Sequence, residues 1–245
     1  MTTVLTFHRV VDRLEQDHDL SWDSFRRLVE SLSESTADLE SPSSSQAIAM
    51  TFDDGTEDHL RAGEELRRRG LPATFFIPTG QIGDPGRLDA GQVHELVSMG
   101  HVVGSHAVHH QPLAQIPPQQ LLDEVRESRV RLEEISGSPI VFFAPPGGIT
   151  HKELTAVLRS EGYRACRSMR WGIYRDKGQR WDIPCIPVTE YTWQRGWVSF
   201  AIDRQSLPLV MRLGRSVKTV LPAGAVRRIR AGLHTRVRGP EERRG

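Results

Sequence analysis

The chain has 245 residues, 38% of them hydrophobic and 26% charged, with a formal net charge of +1. That length suits a single α/β domain with a sizeable core, and the balanced charge gives no sign of a nucleic-acid partner. Two cysteines, Cys166 and Cys185, exclude a disulfide scaffold and read as free buried thiols. The cations are nearly all arginine, with lysine only at Lys152, Lys177 and Lys218, a compositional habit rather than a functional signal.

Short β-rich runs alternate with stretches of helical period, the pattern of parallel βα units. The first strand, Val4–His8, starts almost at once, so no apolar leader is expected, and no run approaches the roughly 18 apolar residues of a membrane span. A cytoplasmic protein is expected, peripheral to the inner membrane face at most. After Trp22–Ser33, a helix, and the polar loop Ser41–Ser45 comes the strand Ala47–Phe52. The pattern then gives helix Thr56–Arg69, strand Ala73–Pro78, helix Asp89–Met99, strand His101–Ser105 and helix Pro118–Ser136. Strand Ile140–Ala144, helix His151–Glu161 and strands Tyr163–Arg167 and Ile183–Val188 complete the series. Gly70, Gly100, Gly137 and Gly162 stand where helix C-termini need them. Seven strands in this rhythm suggest a barrel more than an open sheet. No glycine-rich nucleotide loop follows the first strand.

Beyond Val188 the rhythm stops. Leu207, Val210, Leu213, Val217 and Val220 recur at helical spacing, as do Val226, Ile229, Leu233 and Val237. Arg227, Arg228, Arg230, Arg236 and Arg238 share the surface of the second helix. A barrel over residues 1–200 and a basic helical extension over 201–245 are therefore expected. The extension is read as a solvated packing helix or, alternatively, as one that adheres to anionic lipid or a partner.

The chemistry gathers where strands end, the face on which α/β barrels carry their sites. Asp53 and Asp54 close one apolar run; alternation along a strand would point them in different directions. One can then bind a metal while the other reaches water, whereas a purely structural pair would cap the following helix. His106, His109 and His110 follow another run, and either the 106/109 or the 106/110 spacing can bring two imidazoles together. Imidazole and carboxylate with open positions suit catalytic zinc, with cobalt, nickel or iron accepting similar ligands.

These segments resemble the polysaccharide deacetylases, the NodB homology domain of carbohydrate esterase family 4. The T-F-D-D-G motif is Thr51–Gly55, and H-[ST]-x-x-H with a following leucine is matched by His106-Ala107-Val108-His109-His110 and Leu113. Phe142–Gly148, reading F-F-A-P-P-G-G, is similar to F-R-P-P-Y-G, and Phe7-His8-Arg9-Val10 to the F/Y-H-x-[IV] opening. The likeness covers about residues 1 to 190. It implies a distorted (β/α)7 barrel and a metal held by Asp54, His106 and His110, with His109 outside the set. It implies Asp53 as base for a water activated at the cation and the N–H of Gly147, after Pro145 and Pro146, as oxyanion donor. The reaction implied is removal of N-acetyl from an amino sugar or glycan, here a cytoplasmic, lipid-linked or nucleotide-linked precursor.

Two departures stand out. The arginine that orients the base in the resemblance is replaced by Ala144, and the late histidine acid has no clear counterpart, with His234 unassigned. His8 is a candidate for the acid or for substrate contact, and equally for a structural histidine. Trp171, Trp181, Trp193 and Trp197 suit either packing or sugar stacking, and Trp181-Asp182 loosely fits a fourth, D-W-type motif. The alternative functions are a sugar-binding barrel without turnover and a different linear or cyclic amide hydrolase.

Overall fold

The seven predicted strand runs are all strands in the computed structural model, which describes residues 1–32, 39, 47–148, 151–175, 180–204 and 206. They are β1 (Thr2–Phe7), β4 (Ala47–Phe52), β5 (Ala73–Ile77), β6 (Val102–Ser105), β7 (Phe142–Phe143), β8 (Ala165–Trp171) and β9 (Ile183–Pro187). All pair in parallel in that order, and β9 returns to β1 to close the barrel. Two short strands escaped the sequence pattern, β2 (Arg9–Val11) and β3 (Asp19–Ser21), which pair in parallel beside the barrel. The expected helices are present as α1 (Trp22–Ser31), α2 (Asp58–Arg68), α3 (Ala90–Ser98), α4 (Pro118–Ser136) and α5 (Leu154–Ser160). Past Val188, where the sequence rhythm stops, α6 (Glu190–Gln194) and α7 (Trp197–Arg204) follow β9. Residues Met1–Ser206 form one compact unit. The basic amphipathic helices expected after Leu207 lie outside the described residues.

Strands buried on both faces need apolar residues in a run rather than in alternation, which is why β1, β4, β5 and β9 are buried at every position. Alternation still decides direction. Val4, Ala49, Phe76, Phe142, Ala144, Ala165, Ile183 and Cys185 meet in one cluster inside the barrel. Their neighbours face the helices: Phe7, Phe52 and Phe75 occupy one register row and stack at 4.8 and 4.7 Å between ring centroids. Phe25 of α1 and His59 of α2 close over that row. Inside, Gly104 makes room for Phe76, since a Cβ on it would lie 2.6 Å from the ring. Both cysteines are free and buried, as expected. Among the described residues no helix is long and apolar enough to cross a membrane.

His101 locks α2 against the sheet. Its Nε2 is 2.9 Å from the Gly63 carbonyl, which only accepts, so that nitrogen carries the proton and the buried Nδ1 has no partner among the described residues. Burial, opposed by the Gly63 carbonyl, holds the His101 pKa below its ordinary 6.5. The unfolded chain therefore takes up a proton that the folded state resists. The His101 contribution to stability is complete above about pH 6.5 and is lost as pH falls from there through the lowered folded-state value. Urea midpoints measured from about pH 7.5 to about pH 5 are expected to fall with pH, and His101→Gln to flatten part of that fall. Identical slopes in both proteins would rule this assignment out.

Candidate metal centre

The barrel ladder runs one residue past three strand ends. Asp53 N–H donates to Phe7 (2.9 Å), His106 N–H to Ile77 (3.1 Å) and Ala144 N–H to Ser105 (2.9 Å), each to a backbone carbonyl. Asp53, His106 and Ala144, at the ends of β4, β6 and β7, are thereby set on the C-terminal rim. Asp53 continues the inward series Ala49, Thr51. Asp54 leaves the strand at φ 79, followed by Gly55 at φ 58. This left-handed turn, not strand alternation, separates the two carboxylates. Arg87 donates to the Asp54 carbonyl at 2.7 Å and Leu88 N–H to that of Gly55 at 2.9 Å, which fixes the turn. Neither carboxylate caps α2; Glu57 occupies the N-cap with no side-chain bond, and Asp58 takes the Val10 N–H at 2.6 Å.

Residues 106–110 form a loop, so neither histidine spacing acts through a helical turn. Asp54 Oδ1 lies 2.9 Å from His110 Nε2 and 3.3 Å from His106 Nε2. One ligand atom from each of the three residues falls within 4.8 Å of the others. His109 points away, its Nδ1 2.6 Å from Glu124 Oε1. The His106 Nδ1 sits 2.6 Å from the Ala144 carbonyl and must donate to it. In the neutral ring the Nε2 then carries a lone pair directed at a carboxylate oxygen, an opposition that a bridging cation relieves. Burial opposes ionisation of Asp54, but hydrogen bonds from the two rings, available only when Nε2 carries a proton, more than offset it and hold the carboxyl below the usual carboxylate range. The His106 side chain is 2% exposed, His110 29% and Asp54 19%, so the centre opens to solvent on one side. One carboxylate, two imidazoles and an open side match a catalytic divalent site.

Asp53 is ion-paired to Arg167 of β8, and both side chains are buried. The guanidinium lies over the Phe76 ring at 5.1 Å, and its other terminal nitrogen is 2.9 Å from Met169 Sδ. The cation missing at Ala144 is thus supplied by a neighbouring strand. Arg167 was missed because it sits at a predicted strand end; the available signal was an arginine in step with inward-facing Ala165. His8 Nε2 lies 3.9 Å from Asp53 Oδ2, and its ring is 5.4 Å from that of His18. Burial, opposed by Asp53, lowers the His8 pKa, and its buried Nδ1 has no hydrogen-bond partner among the described residues.

Pro145 and Pro146 are buried, and the turn after them carries the exposed Gly147 at φ 62. Gly148 N–H closes that turn on the Pro145 carbonyl at 2.9 Å. Asp182, the loose fourth-motif match, instead holds Ser168 and Arg170 of β8. Trp181 lies beneath Arg159, and Trp197 packs edge-on to Tyr191.

A closed parallel barrel with an Asp/His/His centre at its C-terminal rim and a buried carboxylate beside it defines a class of hydrolase folds. The polysaccharide deacetylase family model matches residues 40–166, and the chain belongs to that family. It is 25% identical over 149 residues to a peptidoglycan-N-acetylglucosamine deacetylase of Bacillus cereus, covering 60% of this chain and 66% of that protein. It is 23% identical over 143 residues to the peptidoglycan-N-acetylmuramic acid deacetylase PdaA of Bacillus subtilis, covering 56% and 53%. Across the first curated relatives that it matches, the chain spans 22% to 66% of their length. The fold is shared with Streptococcus pyogenes deacetylase PplD in complex with acetate, at TM-score 0.72, 17% identity and coverage of 80% of this chain and 96% of that one. IcaB from Ammonifex degensii superposes at TM-score 0.70 with 23% identity, covering 79% and 94%.

Removing one partner of a buried ion pair leaves the other charge uncompensated, at about 3–5 kcal/mol. Arg167→Met is expected to lose stability of that order in urea, and adding Asp53→Asn to recover part of it. A double-mutant cycle with no coupling would contradict the pairing.

Proposed function

We propose that this chain hydrolyses the N-acetyl group of an amino sugar within a glycan, releasing acetate. The observation that carries the reading is the convergence of Asp54, His106 and His110 with Asp53 held beside them by Arg167. Asp54, His106 and His110 would hold a divalent cation, zinc suiting the donor set, which when bound would supply Lewis acidity to the amide carbonyl and acidify a water.

The chain's own residues supply the rest. Asp53 takes the proton from the attacking water, and Arg167 keeps its carboxylate oriented toward the rim. A C–O bond forms at the carbonyl carbon, and the Gly147 N–H donates to the oxyanion that develops there. Collapse breaks the C–N bond, and the amine leaves with a proton returned from the Asp53 side. His8, the histidine nearest that carboxylate, is assigned to that transfer or to holding the sugar. Pro145 and Pro146 shape the turn that presents Gly147.

Acetate release is tested on N-acetylated glycans and on lipid- and nucleotide-linked N-acetylhexosamines, with zinc or cobalt added. Asp53→Asn is expected to lower kcat by about 10²–10⁴, the range for a positioned base, while still binding zinc. His106→Ala and His110→Ala are expected to lose zinc, and His109→Ala to retain it. Full turnover by Asp53→Asn would remove it as the base. Zinc binding without acetate release from any of these substrates would favour a sugar-binding barrel without turnover.

A further inference from the structure

Helix α4 packs on the barrel through Leu121, Val125 and Leu132, yet the same buried face carries Glu124 and Ser128 one turn apart. An acid on an apolar helix face is costly unless every lone pair is used. Glu124, 2% exposed, accepts from Val108 N–H (2.8 Å), His109 N–H (3.1 Å), His109 Nδ1 (2.6 Å) and Gln111 Nε2 (2.9 Å). Ser128 Oγ is 2.7 Å from Ser105 Oγ, which in turn accepts the Ala107 N–H at 3.2 Å. Two side chains of one helix therefore hold the backbone from 107 to 109.

That stretch needs holding. Ala107 (φ 63) and His110 (φ 54) are left-handed, and with Asp54 they are the positive-φ residues other than glycine among those described. Each such residue costs on the order of 1–2 kcal/mol. The N–H groups of Val108 and His109 lie between the two and turn toward Glu124. From the opposite side, Thr79 and Gly80 donate to the Ala107 and Val108 carbonyls at 3.1 and 2.9 Å. The loop is clamped between the Thr79–Gly80 segment that follows β5 and helix α4, and its last residue is His110.

We propose that Glu124 is a positioning residue, which with Ser128 fixes the loop that aims His110 and so sets the cation affinity of the Asp54–His106–His110 centre. The proposal rests on the metal reading of that centre. It separates the two neighbouring histidines by role: His109 is tied to the clamp, and His110 is what the clamp presents. Glu124 touches neither the base nor either ligand ring, so its effect runs through the backbone.

The test is zinc titration by calorimetry on the full chain, well below the melting temperature, alongside melting of the zinc-free proteins. Glu124→Ala is expected to weaken zinc binding about 10–100-fold, the usual effect of losing a group that orients a ligand. Glu124→Gln keeps an oxygen for the Val108 and His109 N–H groups and is expected to lose less. If both variants bind zinc as the wild type does and only their melting temperatures drop, Glu124 is a packing residue and the proposal fails. Should the alanine variant not fold, the glutamine variant decides by the same criterion. Asp54→Asn serves as the control for the centre itself. Wild-type protein that binds no zinc would overturn the metal reading, and this proposal with it.

Discussion

Asp53 and Arg167 form an ion pair across the inside of the barrel, with neither side chain open to water, and the upper end of the molecule is arranged around it. Burying two charges gains little net stability, because desolvation cancels most of the attraction and apolar side chains of similar volume serve as well. Stability alone therefore does not account for the pair. Its surroundings reduce the cost: Phe76 offers a ring face to the guanidinium, and Met169 offers a sulfur. Phe76 in turn fits only because residue 104 has no side chain. A glycine in β6 and an arginine in β8 thus support one carboxylate at the end of β4.

The ligand set is built differently. Strand ends can deliver Asp53 and His106 to the rim, because the ladder continues through them. They cannot deliver a second carboxylate and a second imidazole to the same point, since the next residue along an extended strand faces the other way. Both are brought in by leaving extended conformation, Asp54 at φ 79 and His110 at φ 54. Local strain of this kind persists only where neighbouring structure over-determines it. Arg87 and Leu88 do so for the first turn, and α4 with the 79–80 segment for the second.

What the sequence made legible follows the same division. Apolar runs and helix-ending glycines are local patterns, and they located seven strands and five helices; the choice of His110 over His109 came from the family resemblance, and the structure brings Asp54, His106 and His110 together. Arg167 was illegible because its partner lies 114 residues away and its own strand looks ordinary. Motif comparison registered only an absence at Ala144. Glu124 was hidden on a helix face whose period reads as core, and β2 and β3 are too short to show alternation. The residues found are those whose neighbours in space are neighbours in sequence. Those missed act across the barrel or from helix to loop.

The choice between His109 and His110 shows how the two kinds of information combine. Spacing permits either, since a loop can turn any residue inward. The decision lies with a buried carboxylate that already has two backbone N–H groups to satisfy and takes His109 Nδ1 as a further donor. Once His109 is drawn to α4, the left-handed turn at the next residue sends His110 to Asp54. The open side of the centre then lies along His110 and Asp54, whereas Asp53 stays 3% exposed beneath the rim. A carboxylate so enclosed, already bound to a cation on one oxygen, reaches only an atom delivered to the centre beside it. The burial of Asp53 and the exposure of His110 and Asp54 are two consequences of the same packing, and both fit the proposed reaction at the centre.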